Sequence, residues 1–232
     1  MFETESRALL ELSSTQSIRV PQPIAHSADW LVLEYVELKP GGSEAKLGEH
    51  LAALHSRDFG HFGWGQNNYI GITPQLNTFT ENWSTFWRDQ RILPQLQMAI
   101  ENGFSGRLQK PGEELLLNMD QYFSSYQPQA SLLHGDLWAG NKAFNLDEQP
   151  VIFDPASYYG DREADIAMTE LFGGFGADFY AAYEATLPLD PGFRVRRELY
   201  NLYHVLNHLN LFGRTYLGRS ENIISSLLAE IH

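Results

Sequence analysis

His134-Gly135-Asp136-Leu137-Trp138-Ala139-Gly140-Asn141 is the stretch that most limits what this chain can fold into. It carries a carboxylate and, five positions on, an amide. Around it the hydrophobic pattern breaks into short runs, Leu132-Leu133, Ala143-Phe144 and Val151-Ile152-Phe153, separated by polar turns. Runs this short, bounded by turn residues, predict a hairpin with functional residues on its loops. Asp154 ends the last run, where core packing gives no reason for an aspartate. The ordinary explanation makes Asp136 and Asn141 turn formers and Asp154 a strand-end cap. Three oxygen acceptors at this spacing, with the strand context also right, favour chemistry.

The spacing H-x-D-x-x-x-x-N is that of the catalytic loop of kinases. Phosphoryl transfer needs one carboxylate to face the acceptor hydroxyl, orient it and take its proton. An amide oxygen must then reach a magnesium ion on the nucleotide phosphates, and a second oxygen ligand must come from a neighbouring strand. Asp136, Asn141 and Asp154 meet those three requirements in order.

Composition excludes several other classes. The 232 residues include 43% hydrophobic and 13% aromatic residues, as a globular core requires. Lys and Arg number 16 against 29 Asp and Glu, a formal charge of −13, which opposes nucleic acid or an anionic membrane as the main partner. With no cysteine, disulfides and thiol chemistry are excluded. The first residues, Met1-Phe2-Glu3-Thr4-Glu5, are acidic where a secretory signal would be basic, and no apolar run is long enough for a membrane span. A soluble, cytoplasmic protein is expected. No Walker-type G-x-x-x-x-G-K-[ST] loop and no G-x-S-x-G elbow occurs. His204 and His208 are four apart on a presumed helix, but without H-E-x-x-H or a third ligand they read as ordinary helix histidines.

Along the chain, Phe2, Leu9 and Leu12 are spaced for a first helix, which Val20-Pro21-Gln22-Pro23 cannot continue. Trp30 to Val36 has the composition of a buried strand. Pro40-Gly41-Gly42-Ser43 reads as a linker before a helix through Leu47, Leu51, Leu54 and His55. Trp83, Phe86 and Trp87 share a helix face, and Leu116, Met119, Phe123 and Tyr126 are expected to share another. Two helices, Ala164–Phe172 and Val195–Phe212, are expected to close the chain.

HGDLWAGN, followed by Asp154-Pro155-Ala156-Ser157-Tyr158-Tyr159-Gly160-Asp161-Arg162-Glu163, resembles the fructosamine kinase (ketosamine 3-kinase) family, within the aminoglycoside phosphotransferase and choline kinase superfamily. Phe62-Gly63-Trp64, Asn68-Tyr69-Ile70-Gly71, Thr169 to Phe175 and Tyr200 to His208 extend the resemblance to about Gly218. It implies an α+β, protein-kinase-like fold, ATP and Mg²⁺ as cofactors, and phosphorylation of a ketosamine at its 3-hydroxyl, leading to deglycation. Carried over by position, Asp136 is the catalytic base, Asn141 and Asp154 are magnesium ligands, and Trp138 lies near the sugar, with a hydrophobic plug as its alternative role. Glu34-Tyr35-Val36 resembles the hinge whose backbone binds adenine. His134, Asp161 and Asp165 are expected to brace the loop or cap the next helix.

Glu5 resembles the helix glutamate that pairs with a nucleotide-binding lysine, with a solvated first-turn glutamate as the alternative. The family carries that lysine and a glycine-rich loop on strands ahead of this helix. Here the lysines are Lys39, Lys46, Lys110 and Lys142, none upstream of Glu5. The expected architecture is therefore a truncated small N-lobe over residues 1–39 and a largely helical C-lobe over 40–232, with self-association through surface left uncovered. Lys142, where similar sequences place an apolar residue, reads as a solvent-facing lysine or a phosphate contact. Two other readings stay open: a different small-molecule kinase of the superfamily, acting on an aminoglycoside or choline, and a binding module without turnover.

Overall fold

The structure is a computed structural model and describes residues 1–231. Helix α1 spans Phe2–Ser14, with Glu3 and Glu5 in its first turn, where carboxylates favour the helix dipole. It buries Leu9 and Leu12, and the 3.6-residue pattern read in the sequence is the one observed. Strands β1 (Pro23–His26) and β2 (Leu31–Leu33) form an antiparallel hairpin. The strand expected over residues 30–36 is thus shorter and not buried. It pairs with β1, and Ile24, Trp30, Val32 and Tyr35 are exposed, Tyr35 by 87%. Strand β3 (Leu38–Lys39) follows, then α2 (Glu44–His55), whose N-cap Ser43 accepts from the Lys46 amide.

A second hairpin pairs β4 (Asn68–Ile70) with β5 (Thr73–Gln75). The helical region then comprises α3 (Trp83–Trp87), a π turn over Arg88–Ile92, α4 (Leu93–Glu101) and α5 (Gly106–Leu117). The helix face expected through Tyr126 does not form. The helix ends at Leu117, and a 3₁₀ turn over Met119–Phe123 takes the chain away, burying Met119 and Tyr122 instead. Next come β6 (Ser131–Leu132), β7 (Lys142–Asn145), β8 (Pro150–Ile152) and β9 (Tyr159–Gly160). Four helices, not two, follow: α6 (Glu163–Leu171), α7 (Ala177–Thr186), α8 (Phe193–Phe212) and α9 (Leu217–Ala229).

Strands β7 and β8 are the expected hairpin, and β3 joins it as a third antiparallel strand. Strands β6 and β9 pair separately, so the catalytic loop leaves one short sheet and enters another. Two apolar cores hold these pieces. One lies among α3, α4, α5, α8 and α9, around Phe86, Trp87, Leu115, Leu206 and Ile224. The other joins Leu9 and Leu12 to Leu47, Leu51, Leu132, Ile152 and Phe179. Gly48 permits this second core: a Cβ there would lie 2.3 Å from the Phe179 carbonyl oxygen, so only glycine lets α2 and α7 approach so closely. Each fully buried leucine or phenylalanine is worth about 1.5–3 kcal/mol against exposure. The loop between the cores is therefore carried on rigid walls.

Candidate active site

The loop His134–Asn141 is fixed by hydrogen bonds at both ends. His134 is wholly buried. Its Nδ1 accepts from the Asp136 amide at 3.3 Å while its Nε2 donates to the Phe153 carbonyl at 3.0 Å. One acceptor and one donor define a neutral ring, and burial lowers the His134 pKa accordingly. Gly135 has φ +83°, and a Cβ there would meet the Ala156 carbonyl oxygen at 2.2 Å. The turn therefore admits glycine alone.

Asp165, on the first turn of α6, holds the same turn from below. Its carboxylate accepts from the amides of His134 (2.7 Å) and Gly135 (2.8 Å) and from His55 Nε2 (3.2 Å). His55 Nδ1 in turn accepts from the Tyr183 hydroxyl at 2.9 Å. Burial alone would raise the Asp165 pKa, but the hydrogen bonds from His55 and from the Gly135 amide bring it below the usual carboxylate range. Asp161 caps α6 through the Glu163 amide (3.0 Å) and accepts from Tyr126 and Tyr200. The bracing and capping expected of His134, Asp161 and Asp165 are thus observed.

Asn141 is buried, and its Nδ2 donates to the Asp136 carbonyl at 2.9 Å and to the Asp154 carbonyl at 3.5 Å. Its Oδ1 is left as the open atom. Asp154 is exposed and sits at φ +59°, a left-handed conformation uncommon outside glycine and typical of functional turns. An amide oxygen and a carboxylate side by side suit a hard divalent cation. Among the described residues no three His, Cys, Asp or Glu side chains form a group that could hold a metal ion by themselves.

Asp136 borders two cavities. One, of about 290 Å³, is also lined by Glu5, Asn68, Tyr69 and Asp154. The other, of about 450 Å³, is lined by Trp138, Asn141, Asp154, Phe172, His204, Asn207, His208 and Tyr216. Burial, then the charges of Asp154 and Asp165, push the Asp136 carboxyl up to about 7. Burial and Asp154 push Glu5 to about 7 as well.

The structure brings Asp136, Asn141, Asp154, Glu5 and Trp138 together. Trp138 lies at the rim, 39% exposed, with its ring over Gly140, so it is not a plug beneath the loop. Glu34-Tyr35-Val36 lies on the connection between β2 and β3 and lines neither cavity; Glu34 pairs with Arg19 and accepts from the Gln22 amide. Lys142 does not face solvent, and it lines neither cavity. It pairs with Glu44 at the start of α2 and lies 4.6 Å over the Phe175 ring. Sequence reasoning does not single out Asn207, and it reads His204 as an ordinary helix residue. Their spacing on α8 with Tyr200 is visible in the chain, but which face of α8 meets a cavity depends on tertiary packing.

The family model for fructosamine kinase matches residues 1–230. The chain belongs to the fructosamine kinase family. It is a kinase of that family, an ATP-dependent phosphotransferase with a protein-kinase-like fold. A probable ketoamine kinase of Synechocystis is 43% identical over 98% of this chain and 79% of its own length. The chloroplastic protein-ribulosamine 3-kinase of Arabidopsis thaliana is 38% identical, covering 98% and 72%, and the ketosamine-3-kinase of Mus musculus 36%, covering 98% and 83%. A Thermobifida fusca protein assigned to the fructosamine-3-kinases superposes with a TM-score of 0.88 at 32% identity, covering 99% of this chain and 80% of that one. The gentamicin complex of an aminoglycoside phosphotransferase shares the fold at 14% identity, with a TM-score of 0.61 over 97% of this chain and 80% of its own. Among the described residues no helix is long and apolar enough to cross a membrane.

Proposed function

We propose that this chain uses ATP and Mg²⁺ to phosphorylate a ketosamine, a sugar joined to an amine by glycation, at its 3-hydroxyl, leading to deglycation. The observation that carries the reading is the place of Asp136, in the wall of two cavities at once, with Asn141 and Asp154 beside it. The nucleotide side is the cavity with Glu5 and Asp154; the acceptor side is the cavity with Trp138.

Asp136 orients the acceptor hydroxyl and takes its proton, and a carboxyl tuned toward 7 suits a general base at neutral pH. Asn141 Oδ1 and the Asp154 carboxylate hold magnesium, which when bound supplies positive charge against the phosphates. Glu5 lies where it can pair with a cation at the phosphates. An adenine role for the backbone of Glu34-Tyr35-Val36 rests on the family resemblance alone, because this segment lines neither cavity and the Glu34 amide already donates to the Gln22 carbonyl at 2.8 Å. Residues 1–39 accordingly serve the nucleotide side, and the remainder carries the catalytic loop and the acceptor site.

A sugar suits the acceptor cavity. Burial, then the charge of His208, lower the His204 pKa to about 3, so that ring is neutral with one donor and one acceptor nitrogen. Asn207, 3% exposed, has its Oδ1 without a partner. Neutral groups of mixed polarity match hydroxyls better than a bare cation, and the Trp138 ring offers a flat face to a sugar. The charge of −13 and the lack of cysteine accord with a cytoplasmic protein.

The test is ATP consumption on a panel of a fructosyl-amine, a ribulosyl-amine, an aminoglycoside and choline, with the phosphate located by NMR. Turnover only with the ketosamines and a phosphate on the 3-hydroxyl are expected. Turnover confined to the aminoglycoside or choline overturns the substrate assignment. The exposed Ile24, Trp30, Val32 and Tyr35 also support self-association, which concentration-dependent size in solution tests.

A further inference from the structure

The segment from Asp154 to Tyr158 joins β8 to β9 and meets the loop backbone at Ala156, whose amide donates to the His134 carbonyl (2.9 Å), and at Tyr158, whose carbonyl accepts from the Leu133 amide (3.0 Å). It carries the candidate metal ligand in a left-handed conformation. A non-glycine residue there costs about 1–2 kcal/mol and persists only where its surroundings fix it. What fixes it is a set of buried side-chain amides at the base of the β4–β5 hairpin.

Asn68 Nδ2 donates to the Ser157 carbonyl at 2.9 Å, and Gln75 Nε2 donates to the Ala156 carbonyl at 3.0 Å. Gln75 Nε2 also donates to Asn68 Oδ1 at 2.8 Å, so the two amides are locked to each other. Both are almost wholly buried, at 3% and 1% exposure, where a primary amide is tolerated only if its hydrogen bonds are made. Two outer contacts hold the pair in place: the Tyr203 hydroxyl donates to Gln75 Oε1 at 2.9 Å, and Asn77 Nδ2 donates to Asn68 Oδ1 at 2.7 Å. Ala156 then passes the constraint to the catalytic loop, because its amide donates to the His134 carbonyl at 2.9 Å. The tip of the same hairpin, at Gly71, borders both cavities.

We propose that Asn68 and Gln75 are positioning residues for Asp154: their amides bind the Ser157 and Ala156 carbonyls, hold that backbone and thereby keep the Asp154 carboxylate beside Asn141. Its link to cation binding rests on the reading of Asp154 as a metal ligand.

Three variants separate positioning from plain stability. Asn68→Ala removes one carbonyl contact. Gln75→Met removes the other while keeping length and volume, so it is the variant to rely on if the first does not fold. Tyr122→Phe removes a buried hydrogen bond, to the Leu227 carbonyl at 2.8 Å, that lies outside this network. Mn²⁺ binding in the presence of a non-hydrolysable ATP analogue is followed by electron paramagnetic resonance. In parallel, the ¹³C shifts of Asp154 report its left-handed backbone, and melting reports stability. Asn68→Ala and Gln75→Met are expected to weaken Mn²⁺ binding about tenfold, as supporting contacts of metal ligands commonly do, and to move the Asp154 shifts. Tyr122→Phe lowers the melting temperature similarly and moves neither. If all three variants lose stability alike while Mn²⁺ binding and Asp154 shifts stay with the parent, the proposal is overturned. Parent-like Mn²⁺ binding in Asp154→Ala would instead overturn the metal assignment, and the Asp154 shifts alone then decide whether the clamp positions that backbone.

Discussion

The Asn141 side chain donates its Nδ2 hydrogen to the backbone carbonyl of Asp136 at 2.9 Å, so the two ends of the catalytic loop are one hydrogen-bonded unit. Asn141 therefore has two separable tasks: its Nδ2 closes the loop and its Oδ1 faces outward. Asn141→Asp keeps an oxygen for a divalent cation but replaces the donor by a carboxylate oxygen facing a carbonyl. We expect Mn²⁺ affinity to stay within about threefold of the parent while turnover falls by about tenfold or more. Asn141→Ala should lose both. Parent-level turnover in Asn141→Asp, measured with saturating cation, would show that the loop closure is dispensable.

Asp136→Asn separates function from stability. General-base catalysis contributes roughly 10²–10⁴-fold, and the amide cannot take a proton, so turnover should fall by that order with nucleotide binding retained. Stability should move the other way. The folded carboxyl is raised to about 7 from an ordinary 3.8, so between those values the folded state holds more protons and loses stability as pH rises. At pH 8 the buried charge is unfavourable, and Asp136→Asn should stabilise the protein by about 1–3 kcal/mol. The gain should fade toward pH 4. Thermal melts of both proteins across pH 4–8 give the answer, and a pH-independent difference would contradict the assigned cause.

Much of the site is legible in the order of residues alone. The H-x-D-x-x-x-x-N spacing is local, and the loop, the hairpin and Asp154 at its end depend on short-range turn chemistry that sequence displays. The long helix over Phe193–Phe212 is legible for the same reason, as a sustained 3.6-residue pattern. Residues whose role depends on distant partners are harder to place. Lys142 finds Glu44 across 98 positions, and Asn68 finds Ser157 across 89. The strand expected over 30–36 is not buried because aromatic and branched residues signal strand without saying which face is covered. Helices α7 and α9 escape a sequence reading because α7 shows little amphipathic contrast and α9 follows a glycine turn at Gly213 that hides its start.

Asp165→Asn tests the brace beneath the loop. The carboxylate accepts from two loop amides and from His55, and an amide side chain has a single acceptor oxygen for three donors. One buried donor is left without a partner, a loss of about 1–3 kcal/mol, more where the lost partner is ionised. The pH dependence has a definite sign. Because the folded Asp165 pKa lies below its ordinary value, its contribution is present above about pH 4 and disappears as pH falls through the folded pKa. The parent should therefore lose stability on acidification below pH 4 in a step that the variant lacks. Identical acid-unfolding curves for the two proteins would remove Asp165 from this role.

The acceptor cavity gives the last prediction. Asn207 has a buried Oδ1 without a partner beside the cavity, and His204 is held neutral there. If both groups meet sugar hydroxyls, Asn207→Leu, which keeps the volume, should raise the KM for a ketosamine about tenfold, the worth of one hydrogen bond to a hydroxyl. The KM for ATP should stay near that of the parent, because that residue lies on the acceptor side. The same substitution should leave stability unchanged or raise it, since replacing an unsatisfied buried amide with an apolar side chain removes a desolvation cost. His204 adds a pH signature. With its pKa near 3, it carries no charge change between pH 5.5 and 8, so His204→Gln should raise the acceptor KM by the same factor at both ends of that range. Steady-state kinetics at three pH values on the two variants and the parent measure each of these. An unchanged acceptor KM in both variants would place the sugar elsewhere in the cavity, on the Trp138 side.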